Sequence, residues 1–338
     1  MKLKTLKTNH FYRNGSHSQM LYAKYFIFVL IVYHKRLKRM SNILKIKNVN
    51  DYSRCLGCKE LHPLVCVIDY SEVSPIRYSL NDYSVYGLFL RDDAEVDLEY
   101  GCGRYDYNKG TLLCVGLGQV GGKEDNGEQV IISGWALLFH PDLLHHFSLE
   151  KRIKDYTFFD YSVNEALHMT NEEHDVIVSL MRQIRDELGK NPDKLQNAII
   201  VGYIGLALNF CQRFYNRQFN TRCIENSDIL VRFDRLLHNY YENGLQHTFG
   251  LLSVQYCADK LCMSPNYFGD VIKKTTGDTA SNRIRRFIVQ LAKNELASGE
   301  TISQVSDSLG FEYSQHFSRM FKKQEGITPS EYCQKLHP

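Results

Sequence analysis

The sequence lacks an apolar run long enough to span a membrane. The run from Phe26 to Tyr33 has only eight residues, whereas a membrane-spanning helix needs about 20. Basic residues follow it where a signal peptide would have small ones. Residues 1–39 are therefore either a peripheral anchor or an extension upstream of the natural start at Met40, and the sequence favours the extension.

The sequence also lacks the patterns of catalytic and metal sites. Residues 61–160 contain no His-x-His pair, which cupin-type enzymes use because alternate residues of a strand share a face. His145 and His146 are adjacent and would point apart on a strand. Cys55 and Cys58 have zinc-site spacing, but no second such pair follows. With no phosphate loop, nucleophile elbow or HExxH motif either, we expect no enzyme, no catalytic residue, no metal and no cofactor.

The charge is unevenly distributed along the 338 residues. The formal net charge is +3, yet residues 1–40 hold nine Lys or Arg and no acid, which leaves 32 basic and 38 acidic residues elsewhere. Any affinity for nucleic acid must therefore come from a local patch. The ten cysteines are scattered from Cys55 to Cys333, and a chain of this size does not need disulfides. Reduced thiols in a cytoplasmic protein are expected.

Short apolar runs separated by turn residues occupy the middle of the chain, from Leu61 to Phe139. Short apolar runs with Gly and Asn turns between them predict a small β-barrel or sandwich. We assign this barrel to residues 40–160 and interpret it as a sensor domain. Such a barrel has room for one small ligand. The sequence identifies neither the ligand nor the residues that bind it.

The pattern becomes helical at Thr170. Thr170 and Glu173 form a capping box ahead of an apolar stripe with helical spacing. A second helix is predicted from about Pro192 to Arg217, with apolar residues on more than one face. Those faces contact either the barrel and a second subunit, or partners within one chain. We assign residues 161–222 to a helical dimerisation and linker segment.

The C-terminal part repeats one design twice. In the first unit, Ser264 can cap a helix that has Pro265 in its first turn. In the second, Gly310 supplies the turn between the two helices. Both units end in Lys-Lys-x-x-Gly, at residues 273–277 and 322–326, and a predicted helix over 280–296 joins them. This is an internal repeat of helix-turn-helix units.

The second unit contains a specific set of residues: Gly310-Phe311, Phe-Ser-Arg-Met-Phe-Lys-Lys at 317–323, Gly326, and Thr-Pro-Ser-Glu-Tyr at 328–332. This set shows a close resemblance to the AraC-type family of bacterial transcription regulators. It implies an α+β protein with a cupin-like N-terminal β-barrel, a helical dimerisation segment and, over residues 227–338, an all-α domain of two helix-turn-helix units joined by a linker helix. It also implies that two recognition helices enter successive major-groove segments.

The resemblance implies a sequence-specific DNA-binding transcription regulator, controlled by a small ligand in the barrel. Its partners would be double-stranded DNA, a small-molecule effector, a second copy of the chain and RNA polymerase, with no membrane. Two alternatives remain open at this point. One is a cupin-type enzyme with secondary DNA binding, and the other is a regulator tethered to the membrane by residues 22–33.

The candidate DNA contacts are polar and basic residues on and beside the two recognition helices. They are Asn266, Tyr267, Gly269, Asp270, Lys273, Lys274, Arg283, Arg285, Arg286, Ser314, Gln315, His316, Ser318, Arg319, Lys322 and Lys323. The basic ones would hold phosphates and the others would read base edges, unless 283–286 is only a solvated helix surface. Asp270 and Cys333 stand where the family often has Arg. We therefore expect the first helix, with Asn266, Gly269, Asp270 and Lys273 facing outward, to bind DNA less firmly than the second.

Overall fold

The computed structural model describes residues 43–92, 99–100, 103–104, 110–123, 125, 127–162, 165–221 and 223–336. The extension assigned to residues 1–39 lies outside them. All described strands precede the long helices, so the predicted α+β class is confirmed. The strands are β1 (Ile43–Ile46), β2 (Val65–Asp69), β3 (Ile76–Arg77), β4 (Leu80–Tyr83), β5 (Tyr86–Arg91), β6 (Glu99–Tyr100), β7 (Gly103–Arg104), β8 (Thr111–Val115), β9 (Val120–Gly122), β10 (Gln129–Val130), β11 (Gly134–Phe139) and β12 (Leu167–His168).

The main sheet has five antiparallel strands in the order β12-β8-β5-β11-β2. A three-stranded sheet has the order β1-β4-β9, and β10-β3 and β6-β7 form pairs. Within the described ranges these four sheets do not join into a continuous ring. The cupin-like β-barrel expected from the sequence is therefore not shown for this part of the chain: β1 pairs in parallel with β4, and no ladder links that sheet to the main one.

Both faces of the main sheet are buried. Along β11, Trp135 and Leu137 lie in one apolar cluster, whereas Ala136 and Leu138 lie in another on the opposite face. This alternation follows from the two-residue repeat of a strand. The face with Trp135 and Leu137 packs on the long helices. The face with Ala136, Leu138 and Phe89 of β5 packs on the three-stranded sheet.

Thirteen α-helices are described. They are α1 (Val49–Cys55), α2 (Tyr70–Val73), α3 (Ser148–Arg152), α4 (Asn171–Leu188), α5 (Gln196–Thr221), α6 (Cys223–Glu242), α7 (Gln246–Phe249), α8 (Val254–Lys260), α9 (Pro265–Thr276), α10 (Ala280–Ala297), α11 (Ile302–Ser308), α12 (Ser314–Glu325) and α13 (Pro329–Leu336). Short 3-10 helices lie at Pro141–Leu144, Ile153–Asp155 and Thr157–Asp160.

The starts of α4 and α5 have clear local causes. The predicted capping box of α4 is confirmed, since Thr170 and Glu173 exchange both of its hydrogen bonds. Helix α5 begins at Gln196, later than predicted, because the Asp193 carboxylate accepts the backbone N–H groups of Leu195 and Gln196 at 2.8 and 2.9 Å. Helix α5 is also the one described helix that is long and apolar enough to cross a membrane, and much of it is buried against the sheet and α4.

The two C-terminal units have the same turns at matching positions. Cys262 and Gly310 each adopt a left-handed conformation after the first helix of their unit, with φ of 57° and 83°. Gly277 and Gly326 end α9 and α12 with φ of 74° and 78°. Glycine adopts this conformation without strain, so the repeated glycines seen in the sequence mark repeated backbone geometry.

Candidate nucleic-acid interface

Each C-terminal unit buries one side of its second helix. In α9, Phe268, Val271 and Ile272 are fully buried, and in α12 Phe317 and Phe321 are. Helix α10 contacts α8 and α9 of the first unit and α11 and α12 of the second. Full burial of an aromatic or aliphatic side chain contributes about 1.5–3 kcal/mol, so these stripes hold the inner faces of α9 and α12 firmly. Their polar residues are left on the outer faces.

The outer face of α12 is polar, cationic and open to solvent. Ser314, Gln315, His316 and Arg319 are exposed there, with Ser318 half-buried between them. Within the described ranges Arg319 has no carboxylate within ion-pair distance, and Glu325, a potential partner, instead pairs with Lys293 at 2.5 Å. The Arg319 guanidinium is therefore available to a base or a phosphate.

Two pairs of lysines end the two helices. Lys273 and Lys274 lie in the last turn of α9, and Lys322 and Lys323 in the last turn of α12. All four are exposed. A cation at a helix C-terminus is favourable by itself, but matching pairs at both helix ends also suit two successive stretches of phosphate backbone.

The first helix is arranged differently from the prediction. The Asp270 carboxylate accepts hydrogen bonds from Thr157 and Tyr161 of the N-terminal part, and the Asn266 amide donates one to Asp160. The prediction that Asp270 faces outward is therefore wrong for this structure, where it is half-buried, whereas Asn266 is exposed as predicted. It failed because nothing in the local pattern of α9 shows which surface packs on it.

Two other candidate DNA contacts on α9, Tyr267 and Gly269, offer little surface to DNA in this state. Tyr267 is only 7% exposed and contacts the rings of Tyr161 and Phe219 at centroid distances of 5.2 and 5.3 Å. Gly269 is half-buried. Tyr267 thus serves as packing in this state, and α9 presents mainly its lysine end to solvent.

The three arginines of α10 differ in what they contact. Arg283 pairs with Asp234 of α6 at 3.0 Å, and Arg286 pairs with Asp278. Hydrogen bonds from Asn282 and Thr279, together with the nearby arginines, lower the pKa of Asp278, so this partner stays charged. Arg285 is exposed, and in the described part of the chain it has no carboxylate partner. Among the three, Arg285 has the freest charge for phosphate.

Sequence reasoning missed the residues that hold α9. Glu165 is 5% exposed, and its carboxylate accepts the Ser264 backbone N–H at 2.7 Å and the Ser264 hydroxyl. Burial raises the pKa of Glu165, while the hydrogen bonds from Ser264 and Ser162 oppose that shift. A single Glu in an irregular segment carries no motif. Its 99-residue separation from Ser264 leaves no local signal by which to find it.

The N-terminal part contains a small cavity between the main sheet and the three-stranded sheet. Its volume is about 90 Å³. Tyr52, Tyr70, Tyr83 and Phe89 line it, and the Asn81 side-chain oxygen there is buried with no hydrogen-bond partner among the described residues. No group of three or more metal-ligating side chains occurs among the described residues.

Comparison with known proteins places a domain of known type at the C-terminus. A family model described as "Helix-turn-helix domain" matches residues 257–335, the range that holds both recognition helices. The resemblance to AraC-type regulators drawn from the sequence is thereby confirmed for this domain.

Two relatives come from Bacillus subtilis (strain 168). The uncharacterized HTH-type transcriptional regulator YtdP is 31% identical over 101 residues, which are 30% of this chain and 12% of YtdP. The uncharacterized transcriptional regulatory protein YesN is 33% identical over 88 residues, which are 25% of this chain and 24% of YesN. The matches thus cover less than a quarter of each relative's length.

Two solved structures are similar over different extents. The C-terminal domain of AraT, a response regulator from Geobacillus stearothermophilus, matches 31% of this chain and 84% of that chain, with 23% identity and a TM-score of 0.27. ToxT from Vibrio cholerae O395 matches 81% of this chain and 97% of that chain, with 12% identity and a TM-score of 0.27. Scores this low add nothing to the assignment, which rests on the family match and the chain's own helices.

Proposed function

Because residues 257–335 form an AraC-type helix-turn-helix domain, we propose that the whole protein is a sequence-specific DNA-binding regulator of transcription that acts in the cytoplasm. The observation that carries the proposal is the outer face of α12. It combines an unpaired arginine, a glutamine and a histidine with two lysines at the helix end. Arg and Gln read base edges through paired hydrogen bonds, and lysines hold phosphates.

The second part of the proposal is that both units contribute. The shared caps and paired lysines of α9 and α12 support two recognition helices on one face of DNA, in successive major-groove segments. Such segments are about 34 Å apart, one turn of the double helix. Exposed Arg285 on the linking helix α10 would contact the phosphates between them. Of the predicted phosphate ligands, Arg283 and Arg286 contribute less, since each already has a carboxylate partner.

The third part is control by a small ligand in the N-terminal cavity. Its aromatic lining and the unpartnered Asn81 oxygen suit a small, partly apolar molecule that donates a hydrogen bond to that oxygen. Arg91 and Lys123 also line the cavity, which favours a ligand with negative charge. A ligand there would contact both sheets and could change how they sit against the rest of the chain.

The fourth part is a homodimer formed through α5. Leu195, directly before α5, and Ile199 and Leu206 within it are 64%, 39% and 44% exposed, at spacings that place them along one side of the helix. A row of exposed apolar residues on a long helix is typical of a helix-helix interface. Two copies of the chain would bind adjacent DNA sites and would there contact RNA polymerase.

The test is selection of DNA by the full chain. Purified protein is mixed with a pool of random-sequence duplexes, and bound duplexes are amplified and sequenced over several rounds. The proposal predicts enrichment of a motif with two short conserved blocks about one helical turn apart. Footprinting on the enriched duplex should protect both blocks. Recovery of unenriched sequences after repeated rounds would contradict the proposed function.

A further inference from the structure

The N-terminal part of the chain holds the first recognition helix along one face. The Asp270 carboxylate accepts hydrogen bonds from the Thr157 hydroxyl at 2.7 Å and the Tyr161 hydroxyl at 2.6 Å. One turn earlier, the Asn266 amide donates to the Asp160 carboxylate at 2.9 Å. Residues four apart lie on the same side of a helix, so Asn266 and Asp270 define a single surface. Both polar side chains of that surface are hydrogen-bonded to the N-terminal part, with Asp270 half-buried and Asn266 at the exposed edge.

The start of the same helix is held as well. The buried Glu165 carboxylate accepts both the backbone N–H and the hydroxyl of Ser264, the residue that caps α9. Beside it, Tyr267 packs between Tyr161 and Phe219. Polar and apolar contacts from the N-terminal part thus follow the first two turns of α9.

Three of the groups that face α9 are acidic. Asp160 and Glu165 contact it directly, and Asp155 lines a cleft that Lys273 and Lys274 also line. Negative groups placed opposite a helix with two terminal lysines occupy the place that DNA phosphates would take. The major groove is about 12 Å wide and admits little more than a helix, so α9 cannot enter it while these contacts persist.

The second recognition helix is in a different state. The DNA-facing residues of α12, Gln315, His316 and Arg319, are exposed, and α12 packs on α10, α11 and α13. One recognition helix is therefore open to DNA, and the other is covered.

We propose that this structure is a self-inhibited state, in which a surface formed by the carboxylates of Asp155, Asp160 and Glu165 and the hydroxyls of Thr157 and Tyr161 competes with DNA for α9. This inference rests on the proposed function. In this state the chain can contact one half of its site through α12. Release of α9 adds the second half, and any signal that loosens the surface around Thr157 and Tyr161 therefore raises affinity.

The test uses substitutions in the N-terminal part, which remove the contact without touching a DNA-binding residue. In the full chain, Thr157→Val together with Tyr161→Phe removes both donors to Asp270. Hydrogen bonds to a charged group are strong enough that their loss should tighten binding to the selected duplex about tenfold. Asp160→Ala, at an exposed position where folding is not at risk, should tighten it by a smaller factor. Affinity is measured by fluorescence anisotropy.

Two matched controls accompany these variants. Thr157→Ser keeps the hydroxyl donor and should keep the wild-type affinity. Asp175→Asn removes a carboxylate that is 83% exposed on α4 and should leave affinity unchanged, which separates loss of the contact from a general change in charge. Hydrogen exchange provides a second readout, since backbone amides of residues 266–276 should exchange faster in the double variant.

The outcomes separate the two proposals. Tighter binding and faster exchange in the release variants, but not in the controls, support self-inhibition. If the wild type binds its selected duplex and the release variants bind it equally or more weakly, self-inhibition is wrong and the proposed function stands. If neither the wild type nor any variant selects a sequence, the proposed function itself fails.

Discussion

Arg319 offers the sharpest single-residue prediction. It is exposed on α12 beside Gln315 and His316, and no carboxylate in the described ranges neutralises it. A bidentate contact from Arg to a guanine contributes about 1–3 kcal/mol of discrimination, which corresponds to about 5- to 150-fold in Kd. Arg319→Ala should therefore weaken binding to the selected duplex by at least that lower factor, while the unfolding midpoint stays nearly unchanged because the side chain is exposed.

A comparison with Arg319→Lys separates base reading from phosphate attraction. Lysine keeps the charge but lacks the planar fork that pairs with guanine. If Arg319 reads a base, both variants should lose preference for the selected duplex over a scrambled one. If it holds only a phosphate, Arg319→Lys should bind nearly as well as the wild type, and Arg319→Ala should lose affinity for both duplexes.

The assay is a titration of each protein on both duplexes at several salt concentrations. Loss of one phosphate contact makes the negative slope of log K against log salt shallower by about 0.9, whereas loss of a base contact leaves the slope unchanged. The first helix gives the contrast. Asp270→Ala frees α9 from Thr157 and Tyr161 and should not weaken binding. Equal losses for Arg319→Ala and Asp270→Ala, or no loss for Arg319→Ala, would refute the reasoning.

Three further predictions concern stability and assembly. Cys262→Gly should raise the free energy of unfolding by about 0.5–1 kcal/mol in urea titrations. A residue other than glycine in the left-handed conformation costs about 1–2 kcal/mol, and the larger entropy that glycine loses on folding offsets part of this gain. A decrease in the free energy of unfolding would contradict this prediction. Leu206→Asp should convert a dimer to a monomer in light scattering, whereas Leu117→Asp, at a leucine with similar exposure of 46%, should not. Burial raises the pKa of Glu165 above its ordinary value of 4.5. As the pH rises, the Glu165 carboxyl therefore ionises in the unfolded chain before it ionises in the folded chain. The wild type loses stability over the pH range from about 4.5 to the raised value. Glu165→Gln stays neutral and should lack that part of the pH dependence when unfolding is followed by Trp135 fluorescence; identical profiles would contradict it.

The features that the sequence predicted well are those with local causes. The capping box at Thr170 needs only residues three apart, and the glycines that end α9 and α12 are required by local backbone geometry. The buried stripes of the two recognition helices follow from helical spacing. These signals, repeated about 50 residues apart, identified the domain from sequence.

The features that the sequence could not predict depend on distant pairings. Whether the strands close into a ring depends on which strands pair, and the parallel pairing of β1 with β4 leaves no periodic trace. The covered face of α9 is a similar case. Asp270 looked exposed because its neighbours on the helix are polar, yet its partners Thr157 and Tyr161 lie more than 100 residues earlier.

The most direct test of the account is a structure of the full chain bound to its selected duplex. The account predicts that α12 lies in the major groove with the Arg319 guanidinium within hydrogen-bond distance of a base edge. It also predicts α9 in the next major-groove segment, with Asp270 separated from Thr157 and Tyr161. A complex in which the outer face of α12 points away from the DNA would contradict the central claim.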